Sequence, residues 1–121
     1  MPVFSTSELD QFVADDPQGP VVMLNLIRFA PGGAEIYRQY LERFRSSGVD
    51  QRYGVTVLYV GAGHPSLVAA EGGDWDMVGL FRYPSRQHFV AMINDPDYQE
   101  FEHLRAGAVT TAVLQPTTPA L

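Results

Sequence analysis

The chain contains no cysteine and no lysine. Without cysteine there is no disulfide, thiolate nucleophile, zinc–thiolate site or iron–sulfur cluster, and packing alone must hold the fold. Such a composition suits the reducing cytoplasm, so a soluble intracellular protein is expected. Positive charge is scarce: eight arginines face 14 acidic residues, for a net charge of −6. A field of that sign repels phosphate backbones, which speaks against nucleic acid as a partner. No apolar run approaches the ~20 residues of a membrane-spanning helix, and the first ten residues lack the basic region and apolar stretch of a secretory signal. No membrane association is expected. What remains is 121 residues, 45% of them hydrophobic and 12% aromatic. That is the length of one domain, and it excludes the disordered, collagen-like and coiled-coil classes.

Along the chain, Ser5-Thr6-Ser7-Glu8 fits a capping box, with Phe4 and Leu9 placed for a hydrophobic staple. The pattern predicts a short helix from Thr6 through Leu9, Phe12 and Val13, ended by the turn-forming residues 15–20. Residues 21–29 are almost continuously apolar, interrupted by Asn25 and Arg28, as in a central strand covered on both faces. After Pro31-Gly32-Gly33, the residues Ile36, Tyr37, Tyr40, Leu41 and Phe44 form one helical stripe. Glu35, Arg38, Glu42 and Arg45 form its solvated opposite face, and Gly48 stops the helix. Residues 53–60 read as a second strand, 66–70 as a short strand returning beside it, and 75–83 as the next. Ser85 caps a helix that packs through Phe89, Met92 and Ile93. Asp95-Pro96 restarts a helix over 96–106, and 109–114 form the last strand ahead of a frayed Pro-Thr-Thr-Pro tail.

The resulting order is the split β-α-β-β-α-β pattern of α+β ferredoxin-like folds, with an additional short N-terminal helix. Its helices occupy one face of an antiparallel sheet. The other face of the doubly apolar first strand then needs cover, and a second copy of the chain supplies it most simply. A homodimer is expected.

Val22-Met23-Leu24-Asn25-Leu26, Tyr37-x-x-Tyr40, Tyr59-x-Gly61, Glu71-Gly72 ahead of Trp75, Tyr83-Pro84-Ser85, and Asp95-Pro96-Asp97-Tyr98 leading to Arg105 together resemble the DUF1330 family of the dimeric α/β-barrel superfamily. The resemblance spans about residues 20–115 and implies that 1–121 form a single domain of that type. It also implies paired ferredoxin-like subunits with a small-molecule pocket. The superfamily includes cofactor-free monooxygenases, lactone isomerases, polyketide cyclases, haem enzymes and plain binding domains, so the fold does not select the reaction. Arg82 departs from the acidic residue common at that position in the family.

Several residues are candidates for chemistry. Tyr98, Phe101 and Arg105 fall at i, i+3 and i+7, which turns Arg105 towards the sheet. A buried guanidinium requires an anion or several acceptors, so Arg105 either anchors a ligand oxygen or serves an internal ion pair, unless its stem snorkels out. Asn25 either bridges to neighbouring backbone or donates to a substrate oxygen. Arg28, near the end of the same strand, is a further binding candidate beside its ordinary reading as an exposed residue. Tyr40, Tyr59 and Trp75 are core aromatics or, together, the walls of a pocket suited to flat carbonyl compounds. His64, on a loop after Gly61-x-Gly63, is the best-placed general base among three histidines or else a turn residue in water. Asp76 orients such a base or merely opens a strand. No dinucleotide fingerprint, nucleophile elbow or histidine metal spacing is present, so no metal and no cofactor are expected.

These residues, with the resemblance, lead to an expectation of a small cofactor-independent isomerase, cyclase or monooxygenase acting on a carbonyl-bearing, aromatic or polyketide-like compound. Arg105, Asn25 and His64 would carry the chemistry. The alternative is a non-catalytic domain that binds a small organic acid.

Overall fold

The computed structural model describes residues 6–121; the Phe4 and Ser5 halves of the expected staple and capping box lie outside the described residues. The element order is α1 (Thr6–Asp15), β1 (Val21–Phe29), α2 (Gly33–Ser46), α3 (Val49–Arg52), β2 (Thr56–Ala62), β3 (Met77–Tyr83), α4 (Arg86–Ile93), α5 (Pro96–Gln99), α6 (Glu102–Ala108) and β4 (Val109–Thr117). The strands form one antiparallel sheet in the order β2-β3-β1-β4. With βαββαβ connectivity, this is the ferredoxin-like arrangement.

β1 is central because its alternation serves two environments. Val21, Met23, Asn25 and Ile27 are buried beneath the helices, while Val22, Leu24, Leu26 and Arg28 are half-buried on the opposite face. The register pairs Leu24 with Leu80 of β3 and with Gln115 of β4. Val78 and Val113 lie opposite Leu26 in the same two ladders, so an apolar band runs across the face without helices. On the helical face, Val21, Ile27, Val49 and Phe101 are wholly enclosed. Burial of each such side chain contributes roughly 1.5–3 kcal/mol relative to exposure.

The helix starts follow local chemistry. Gly32 takes a left-handed conformation (φ 74°) at the entry to α2, where a side chain would be strained. Ser85 caps α4 by accepting from the His88 amide, and Asp95 caps α5 by accepting from Asp97, with Pro96 in the first turn. α1 is fastened to α4 by an edge-to-face contact between Phe12 and Phe89 and by an Arg86 guanidinium that donates to the Phe12 carbonyl at 3.0 Å.

Five expectations require correction. β3 begins at Met77 rather than at 75, and the Trp75 indole N–H donates to the Gly72 carbonyl within the preceding loop. Residues 66–70 form no strand, because β2 pairs directly with β3 and the Ser66 amide is taken by the Asp74 carboxylate. β2 begins at Thr56 rather than 53, since Val49–Arg52 make an extra helical turn and Tyr53 reaches across to Asp95. The last helix is two pieces, broken between Gln99 and Glu102. β4 continues to Thr117, whose hydroxyl donates to the Val22 carbonyl, so part of the tail expected to fray belongs to the strand.

Candidate functional site

Between the sheet and the helices lies a cavity of about 310 Å³. β1 contributes Asn25, β3 contributes Phe81 and Tyr83, and β4 contributes Ala112 and Leu114. The helices close it: Tyr37, Tyr40 and Phe44 come from α2, Tyr98 from α5, and Glu102 and Arg105 from α6, with Glu8 of α1 also on the lining. α2 presents its tyrosines inward because Tyr37, Tyr40 and Phe44 recur on the stripe that must bury, at successive spacings of three and four residues.

The polar centre of this apolar space is Arg105. Its Nη2 donates to Asn25 Oδ1 at 3.4 Å, while Asn25 Nδ2 donates to the Met23 carbonyl of its own strand, also at 3.4 Å. Asn25 therefore faces the guanidinium with its acceptor oxygen and turns its amide nitrogen to the backbone of its own strand. Tyr37 interacts with Arg105 by charge and by hydrogen bonding. Burial works against the Arg105 charge and the facing phenols of Tyr37, Tyr40 and Tyr98 work for it; the balance lies above the ordinary arginine value. The guanidinium is charged wherever the protein is folded.

The phenols behave in the opposite sense. Burial pushes the Tyr40 hydroxyl well above the ordinary phenol value, reinforced by Tyr98 and Tyr37. Burial likewise raises Tyr37, Tyr83 and Tyr98. These groups stay protonated through the neutral range and serve as hydrogen-bond donors. Tyr40 and Tyr98 meet hydroxyl to hydroxyl at 2.9 Å. The cavity is thus walled by aromatic rings and furnished mainly with donors, which suits a flat, acceptor-rich molecule.

Of the residues singled out from sequence, Asn25, Tyr40 and Arg105 come together here. His64, Arg28, Tyr59, Trp75 and Asp76 are not on this lining. Arg28 belongs to the opposite face of β1, where its guanidinium stacks 3.9 Å from the centre of the Trp75 ring and donates to the Gly73 carbonyl. Asp76 accepts from the Phe29 amide at 2.8 Å, which tethers the β2–β3 loop to β1. Tyr59 is about half exposed on the edge strand. His64 is exposed and follows Gly63, where a side chain would collide with the Trp75 carbonyl. Sequence reading missed Tyr37, Tyr83 and Tyr98 as lining residues. The spacing Tyr37-x-x-Tyr40 and the shared face of Tyr98 and Arg105 were the available signals. Among the described residues, no group of three or more His, Asp or Glu is arranged to hold a metal ion, and no helix is long and apolar enough to cross a membrane.

No protein-family model and no curated protein matches this chain. Solved structures do. A protein of unknown function from Rhodopseudomonas palustris, RPA0582, is 34% identical, with 98% of this chain and 96% of that one covered and a TM-score of 0.83. An antibiotic biosynthesis monooxygenase-like protein from Bacteroides thetaiotaomicron is 22% identical over 85% of this chain and 91% of its own (TM-score 0.63). A dimeric protein of unknown function and ferredoxin-like fold from Bacteroides fragilis is 9% identical over 83% and 96% of the two chains (TM-score 0.57). The last two likenesses show the fold alone.

Proposed function

Because the chain belongs to the same family as RPA0582 of Rhodopseudomonas palustris, whose function is unknown, we propose a function from the cavity itself: it binds a small planar molecule through an oxygen of a carbonyl or carboxylate group. The proposal includes the identification of this family with DUF1330, on the motifs that the sequence shares with it. The observation that carries the reading is the Arg105 guanidinium steadied by Asn25 inside an aromatic enclosure. A guanidinium turned into such an enclosure presents a fixed positive charge and N–H donors, which an oxygen ligand matches.

The enzymatic form of the reading is cofactor-independent proton transfer. Arg105 polarises the ligand oxygen, the buried phenols donate to it, and a carboxylate takes the proton from carbon. His64 does not line this cavity, whereas Glu8 and Glu102 do, so the base is assigned to one of these two. Isomerisation and cyclisation of a carbonyl compound both begin with such a step. The chain also works as a homodimer in this proposal, with the open sheet face of Val22, Leu24, Leu26, Val78 and Leu80 closed by a second copy.

Benzoate is a suitable probe for titration calorimetry. The expected result is saturable binding to the wild type and at least a tenfold loss in Arg105→Met. Benzoate binding that is unchanged by Arg105→Met would overturn the assignment of the anchor.

A further inference from the structure

Tyr40 and Tyr98 share a single hydrogen bond of 2.9 Å between their hydroxyl oxygens. In such a pair one hydroxyl donates and the other accepts, so the accepting hydroxyl keeps its own proton for a third partner. Both rings line the cavity, and packing fixes both: Phe101 lies against each, 5.9 Å from Tyr40 and 5.4 Å from Tyr98 between ring centres, and Phe44 contacts both as well. Whichever way the shared proton points, one O–H remains to be given, and the bond behind it polarises that donor. Arg105 stands close enough to interact with both rings by charge.

This arrangement favours one kind of oxygen acid over another. A carboxylate is strongly hydrated and matches a guanidinium fork with two oxygens. An enolate or phenolate concentrates its hydrogen bonding on one oxygen and spreads its charge into a planar framework. Such a framework stacks on Tyr37, Tyr40 and Phe81, which wall the space. Resting on the reading that this cavity binds an oxygen ligand, we infer that Arg105 and the Tyr40–Tyr98 pair form an oxyanion site for a small planar enol or phenol, bound as its enolate or phenolate. On binding, the ligand O–H bond breaks, its electron pair stays on oxygen and the proton leaves to solvent; nothing is oxidised or reduced. The charged and titratable groups that line the cavity with the pair are Tyr37 on α2, Tyr83 on β3, Glu102 and Arg105 on α6, and Glu8 on α1. The two carboxylates oppose the anion, while the guanidinium and the protonated phenols favour it.

The probe is 4-nitrophenol, whose neutral and anionic forms absorb at different wavelengths, titrated with pH in the presence of saturating protein, with benzoate measured in parallel. The expected result is an apparent pKa of the bound nitrophenol lowered by about one unit or more, equivalent to phenolate bound at least roughly tenfold more tightly than phenol. The lowering should shrink in Tyr98→Phe and in Tyr40→Phe, which keep the rings and their packing. A bound pKa that is unchanged or raised, or a full shift retained in both Phe variants, overturns the inference. If benzoate still binds in that case, the cavity reading stands without it. Failure of both probes to bind overturns the cavity reading itself.

Discussion

Arg105 carries a positive charge into a space walled mainly by aromatic and aliphatic side chains, so its replacement separates binding from folding. An arginine held by hydrogen bonds in a part-buried site contributes little net stability, because desolvation of the charge offsets the contacts it makes. Arg105→Met is therefore expected to shift the urea midpoint only slightly while it removes oxyanion binding; a midpoint that falls by an amount typical of core variants would mark the residue as structural. Phe101 presents the opposite case. It is wholly enclosed and packs against both Tyr40 and Tyr98. Truncation to alanine should cost about 3–5 kcal/mol in equilibrium unfolding, and binding should fall with it, because the phenol pair loses its backing. A loss below about 1 kcal/mol would mean that the surrounding rings collapse into the space.

At the scale of elements, the capping residues join segments that are far apart in sequence. Asp95 begins α5 and also receives the Tyr53 hydroxyl and the Arg52 guanidinium, so α3 and α5 are tied by one carboxylate. The Tyr53 and Arg52 hydrogen bonds hold its acidity at about 2, below the ordinary aspartate value. A depressed value of this kind gives stability that is present above pH ~4 and lost as the pH falls through about 2. Asp95→Asn should flatten the acid limb of the stability profile over that window, measured by urea unfolding at a series of pH values; an unchanged profile would place the acid sensitivity elsewhere. Ser85→Ala should cost about 1 kcal/mol through the lost cap of α4.

The same scale explains what could be read in advance. β1 and α2 were legible because burial writes a period of two or of about 3.6 directly into side-chain type. Both caps were legible because their chemistry is local. α3 is only four residues long, too short to show any period. Residues 66–70 have a strand-like composition, but Ser66 and Asp74 close that segment into a loop by exchanging two side-chain to backbone hydrogen bonds, and the outer edge of β2 beside it stays open. Arg105 was placed towards the sheet on the premise of a continuous helix, and it faces inward although the helix is broken ahead of it. The meeting of Tyr40 with Tyr98 spans 58 residues and left no local trace.

For the whole molecule, the proposed dimer depends on the face without helices. Leu24 and Leu80 are directly paired in its centre. If a second copy covers them, light scattering should give twice the 13.4 kDa chain mass, and Leu24→Glu combined with Leu80→Glu should return it to one chain mass with the fold intact. A wild type that stays at one chain mass across micromolar concentrations would remove the dimer from the proposal. The stacking of Arg28 on Trp75 has a consequence for how these events can be watched. Trp75 is the only tryptophan in the chain, and its guanidinium partner sits on the open side of the sheet, away from the cavity lining. Its emission is therefore a single-site optical reporter of that side: it should respond when two sheets close upon each other and stay nearly silent while the cavity fills. One fluorimeter trace and one calorimetric trace on the same sample would thus record assembly and ligand occupancy as independent signals.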